Sequence, residues 1–125
     1  MVDNNEKAQC LCQSNAKIVF ACSGASDVGY LSDQVARKLS RNKVRKMNCL
    51  TVAVTGSEEK VEEFKKCNIL VIDGCSEDCG KKIMKQRNIE NYNYLRITDL
   101  GYEKGKTLTS QDVVNEIYKK AETIC

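Results

Sequence analysis

Asn68-Ile69-Leu70-Val71-Ile72-Asp73-Gly74-Cys75 is the stretch that decides the fold. Four β-branched or leucine residues stand in a row. The run is too short for a helix and is closed by a turn-forming glycine, so it reads as a strand buried on both faces. Ser76, Glu77 and Asp78 follow and make a good start for a helix reaching about Arg87, because short polar and acidic side chains suit the first turn. The same strand–helix unit recurs outward in both directions. Lys17–Ala21 reads as a buried strand running into the loop Cys22-Ser23-Gly24-Ala25-Ser26. Ser26 or Asp27 then caps a helix with Val28, Leu31, Val35 and Leu39 at helical spacing. A second strand is expected near Val44–Val54. Thr55-Gly56-Ser57-Glu58 resembles a capping box before a short helix with Val61 and Phe64 inward. A fourth strand is expected over 94–98, and Ser110 and Asp112 open a last helix carrying Val113, Val114, Ile117, Tyr118 and Ala121 on one side. Four such units predict one α/β domain, a Rossmann-like or flavodoxin-like three-layer fold with a mostly parallel four-stranded sheet over residues 17–125. Residues 1–16 are polar and without periodicity, and are expected to be a flexible lead-in.

Composition narrows the function. The chain has 125 residues, 42% apolar and 30% charged, and its net charge is only +3. A polyanion-binding tail is thereby excluded as the main theme, and no nucleic-acid partner is expected. No apolar run approaches the roughly 18 residues of a membrane span, and the first residues lack a secretory signal. A soluble, cytoplasmic protein is the expectation. There are no histidines and eight cysteines. The commonest general base and nitrogen metal ligand are missing, so sulfur is expected to carry the chemistry.

In open α/β sheets the functional crevice lies beyond the carboxyl ends of the strands. Cys22 ends the first strand, Cys75 follows the third, and Cys49 lies in the second strand region. With strand order 2-1-3-4 these are neighbours. Cys79 is one helical turn beyond Cys75 if both start a helix. Four sulfurs would then converge, enough for a tetrahedral zinc site with Zn–S near ~2.3 Å. Helix N-termini would favour the thiolates, whereas Asp27 and Asp73 would oppose them unless they point away.

Ala21-Cys22-Ser23-Gly24-Ala25-Ser26-Asp27-Val28-Gly29 with Leu31-Ser32, and Val71-Ile72-Asp73-Gly74-Cys75 with Asp78-Cys79 and Lys81-Lys82, resemble motifs of the DGC-domain family. Met47-Asn48-Cys49-Leu50 and Thr98-Asp99-Leu100-Gly101 with Lys104-Gly105-Lys106 resemble its other blocks. The resemblance spans roughly residues 17–108. It implies an α/β domain whose cysteines bind zinc, here Cys22, Cys49, Cys75 and Cys79. The chain departs from the pattern after Cys49, where Thr51-Val52-Ala53-Val54 replaces a small, glycine-rich stretch.

Other features read more plainly. Cys67 precedes a core strand and is expected to be buried. Cys125 ends the chain, and Cys10 and Cys12 form a Cys-x-Cys in the lead-in. The basic run Arg37-Lys38, Arg41, Lys43, Arg45-Lys46 is expected to be solvated at a helix C-terminus. The loop 99–109 is a candidate lid, and its Lys104 and Lys106 are expected in solvent. The Cys22 loop lacks the arginine of a phosphatase loop, and its glycines miss the dinucleotide fingerprint. The expected function is zinc binding for a structural, sensing or delivery role. The alternatives are a thiol oxidoreductase with Cys75 as nucleophile, resolved by Cys79 or Cys22, or an iron–sulfur protein. Whether the chain is an enzyme stays open at this level.

Overall fold

The computed structural model describes residues 16–124. The strands are β1 (Lys17–Ala21), β2 (Lys46–Asn48), β3 (Asn68–Asp73) and β4 (Tyr92–Arg96). The helices are α1 (Asp27–Arg41), α2 (Leu50–Thr55), α3 (Glu58–Lys65), α4 (Cys79–Gln86) and α5 (Gln111–Glu122). A 3-10 turn, Ile97–Leu100, follows β4. The sheet order is β2-β1-β3-β4 and every pairing is parallel.

All six residues of β3 are buried, as a central parallel strand requires. One face of the sheet packs on α1 and α5, through Val19, Leu31, Leu70, Ile72 and Ile117. The other packs on α2, α3 and α4, with Phe20 edge-on to Phe64 at 5.0 Å between ring centroids. Ser26, Ser57 and Ser110 accept from the Gly29, Lys60 and Val113 amides and so cap α1, α3 and α5.

Three expectations need correction. The second strand is only three residues long, and Leu50–Thr55 is a helix. Its β-branched residues looked extended, but Ala53 is buried in the core beside the sheet and tertiary packing overrides propensity. The fourth strand begins two residues earlier than expected and ends at Arg96, leaving Ile97 and Thr98 in the 3-10 turn. The fourth helix opens at Cys79, because Asp78 adopts a left-handed backbone at φ 55° and stands outside it.

The basic run also holds a surprise. Arg45 is 2% exposed and donates to the carbonyls of Ile18, Asn68 and Ile124. It knits the starts of β1 and β3 to the end of α5. Among the described residues no helix is long and apolar enough to cross a membrane.

Candidate functional site

Parallel register brings Asp73 beside Arg96 and carries the chain of Cys22 alongside the end of β3, where its amide donates to the Ile72 carbonyl at 2.9 Å. Asp73 is 1% exposed. Its carboxylate accepts from the amides of Gly80 at 2.8 Å and Lys81 at 3.1 Å, and from the Tyr94 hydroxyl at 2.7 Å. Asp73 thus caps α4 from the preceding strand, satisfying N–H groups that an adjacent side chain would ordinarily take. Glycine at 80 permits this approach, since a Cβ there would lie 2.8 Å from Asp73 Oδ1.

Asp78 holds the N-cap position of α4 yet makes no side-chain capping bond. It faces Arg96 instead, which donates to it through Nε at 2.9 Å and through Nη2 at 2.6 and 2.8 Å. The Tyr94 hydroxyl lies 3.0 Å from Asp78 Oδ1. The fork holds Asp78 in a backbone conformation that non-glycine residues seldom adopt, and sets the first turn of α4 where Cys79 stands. The Arg96 guanidinium holds the Asp78 carboxyl below the usual carboxylate range. Burial, then the hydrogen bond to Asp73, push the Tyr94 phenol up.

Cys22 is half-buried, and its carbonyl accepts from the Ser32 hydroxyl. The loop after β3 lies close against α1. A Cβ on Gly74 would meet the Val28 backbone at 2.8 Å, so only glycine fits there. Burial pushes the Cys22 thiol up, a hydrogen bond from the Gly24 backbone opposes this, and the nearby charges of Cys79 and Asp73 raise it further. A hydrogen bond from the Gly74 backbone also lowers it, but burial prevails. Asp73 already occupies the start of α4. Asp27 does point away from the sulfurs, accepting from its neighbour Val28 and from Gly105 and Thr107 at 2.9 Å each, which pins the loop 101–109 to α1.

Cys49 is the exposed N-cap residue of α2 and lines a cavity of about 530 Å3 together with Cys22. Its sulfur is close enough to the Arg37 guanidinium to interact with it electrostatically. Cys79 is exposed at the start of α4. Cys75 is half-buried and packs against the α1–α5 core. Cys22 therefore interacts with Cys79 and shares a cavity with Cys49, whereas Cys75 packs against apolar side chains. Among the described residues no three Cys, Asp or Glu side chains stand together tightly enough to hold a metal ion as they are. The donor chemistry suits a soft or borderline cation, and the spacing leaves the sulfurs short of a closed ligand set. Cys67 is half-buried and donates to the Glu63 carbonyl at 3.5 Å. Cys10, Cys12 and Cys125 lie outside the described residues. Lys106 is exposed and pairs with Glu103 at 3.4 Å.

Sequence reasoning missed Arg96 and assigned no functional role to Tyr94. The signal was present: Tyr92, Tyr94 and Arg96 alternate along one strand and share a face. What could not be read was that this face meets Asp73 and Asp78.

A parallel α/β domain with cysteines at or just past the carboxyl ends of its strands is the class of protein this structure defines. The DGC domain family matches residues 18–123, and the chain belongs to that family. Among curated proteins it is 28% identical over 99 residues to the anaerobic and virulence modulator AnvM of Pseudomonas aeruginosa strain PAO1, covering 76% of this chain and 75% of that protein. No solved structure matches the chain.

Proposed function

We propose that this chain is a regulatory metal-binding protein that holds a zinc ion through cysteine thiolates at the carboxyl edge of its sheet. The ligands proposed are Cys22, Cys49, Cys75 and Cys79. The observation that carries the reading is that Cys22 lies close enough to Cys79 to interact with it electrostatically and lines one cavity with Cys49. Asp73 beside Cys22 supports it. A half-buried thiol next to a carboxylate and a second thiol ionises poorly alone, and a divalent cation supplies the missing positive charge. That environment suits a ligand better than an activated nucleophile, which needs a lowered pKa. Cys75, the nucleophile of the thiol-enzyme alternative, is half-buried and packs against the α1–α5 core. Four thiolates would give zinc a closed shell; three would leave a position open. The regulatory part of the proposal comes from the relative's name, a modulator of anaerobic behaviour and virulence.

The test is metal analysis of protein purified without oxygen, with Cys22→Ser, Cys79→Ser, Cys75→Ser and the control Cys67→Ser. About one zinc per chain is expected in wild type and in Cys67→Ser, with strong loss in Cys22→Ser and Cys79→Ser. Retention in Cys75→Ser would assign three protein sulfurs. Visible absorbance with bound iron would replace zinc by a cluster. Absence of metal, with a reversible Cys22–Cys79 disulfide, would overturn the reading in favour of thiol redox chemistry.

A further inference from the structure

The basic run from Arg37 to Lys46 divides by direction. Lys38 reaches across to Asn115 and lies over the Tyr118 ring, and Arg45 is buried. Arg37, Arg41, Lys43 and Lys46 remain exposed on the β2 side of the molecule. Among the described residues Arg41, Lys43 and Lys46 form no ion pair, and Asp33 takes Arg37 only through Nε, at 2.7 Å. Two of these cations, Arg37 and Arg41, border a groove. Beside the 530 Å3 cavity lies a second of about 510 Å3, and the two share Arg37, Met47, Asn48 and Cys49. The second cavity adds Ser40 and Arg41. The groove runs from Cys22, past Cys49, to two guanidinium groups one helical turn apart on α1. Each cavity falls within the roughly 300–1,000 Å3 typical of small-molecule sites.

The two ends ask for different chemistry. At the outer end, two arginines with a hydroxyl and an amide nearby match carboxylates, which guanidinium forks bind bidentately. Among the described residues the one carboxylate lining the groove, Asp33, is already taken by Arg37 and by the Ser23 hydroxyl at 2.7 Å. The inner end is sulfur, with Met47, Leu50 and Ile83 as apolar walls. That end suits a weakly hydrated, polarisable group better than a charged one.

We propose that this groove binds a small anionic thiol of peptide size, its carboxylates held by Arg37 and Arg41 and its sulfur lying at Cys49 and Cys22. The carboxylate end stands on the groove alone, and the sulfur end rests on the thiolate reading of the edge. The probe is reduced glutathione, titrated into metal-loaded and metal-free protein while backbone amides are followed by NMR. S-methylglutathione serves as the probe with the thiol capped. Saturable shifts are expected at Asn48, Cys49 and the exposed face of α1. Affinity should fall at least roughly ten-fold in Arg37→Gln/Arg41→Gln, as loss of charge-assisted hydrogen bonds requires. Arg41→Gln alone leaves the Arg37–Asp33 pair in place and should weaken binding while folding is untouched. S-methylglutathione should bind more weakly than glutathione. No saturable shift, or undiminished binding in the double variant, overturns the site. Equal affinity for the two probes overturns the sulfur assignment. Protein that binds glutathione but never zinc would sink the metal reading and leave the groove standing; zinc without glutathione would do the reverse.

Discussion

The two ends of the sheet bury opposite charges. At the amino end Arg45, 2% exposed, donates to three main-chain carbonyls. At the carboxyl end Asp73, 1% exposed, accepts from two main-chain amides and a phenol. The asymmetry follows from parallel topology. Helices following parallel strands begin at the carboxyl edge and finish at the amino edge, so free N–H groups gather at one and free carbonyls at the other. An anion is solvated at the first and a cation at the second. Arg45 ties three chain ends together and leaves no reactive group behind. Asp73 does the same for α4 but stands beside Cys22, so the carboxyl edge carries both a structural anion and the candidate chemistry.

The comparison is broken most directly at Arg45. Arg45→Met should leave buried carbonyls without their donor, at roughly 1–3 kcal/mol for each one that water cannot reach. Chemical denaturation should show a loss of about 3 kcal/mol or more, with occupancy of the proposed zinc site in the surviving folded protein unchanged. A loss of metal with little loss of stability would show that the two ends are not separable.

Asp73→Asn is the counterpart at the other edge. The amide still offers an oxygen but no charge, so a loss of about 1–2 kcal/mol is expected by the same denaturation. The variant should also lower the Tyr94 pKa, read by ultraviolet titration of the phenols. In wild type, the raised Tyr94 pKa means that its stabilising contribution is complete below the unfolded value of about 10 and is lost as pH rises through the folded one. Stability should therefore fall less steeply above pH ~10 in Asp73→Asn.

Arg96→Gln sharpens the division within the carboxyl edge. It removes the fork that holds Asp78 and sets the start of α4, while Asp73 keeps its amides. At the proposed site, zinc affinity by competition with a chelator should drop about ten-fold, in the range for partners that orient ligands. Unchanged affinity would make the Asp78–Arg96 pair purely structural.

The smallest effect is expected at Asp27. Its carboxyl is held below the ordinary value of 3.8 by the amides of Gly105 and Thr107. The hold is therefore complete above that value and lost as pH falls through the lower folded one. In Asp27→Asn, hydrogen exchange at Gly105 and Thr107 should quicken at neutral pH, with global stability little changed. No difference in exchange would mean that the loop 101–109 is held by Tyr102, whose hydroxyl donates to Glu116, and not by the carboxylate.

Much of this was local enough to read from the chain. The run Ile69–Ile72 is apolar without alternation, which only a central parallel strand explains, and serine caps with helical spacing placed α1, α3 and α5. From these followed the alternation of parallel strands with helices, and the standing of Cys22, Cys49 and Cys75 at or just past strand ends. Tertiary structure decided the rest. Leu50–Thr55 has strand-like residues but coils because the sheet edge beside it offers a place to bury Ala53. Arg45 looks like one cation in a solvated run until the ends of three elements present carbonyls to it. Cys75 follows the strand as expected but turns into the α1–α5 core, a choice of side that residue spacing does not encode. Asp73 and Asp78 exchange the roles their positions suggest, because Arg96 arrives from a strand eighteen residues later to claim Asp78. Periodicity and capping are properties of neighbouring residues, whereas the partner of a buried charge is chosen by whichever distant segment the fold brings to it.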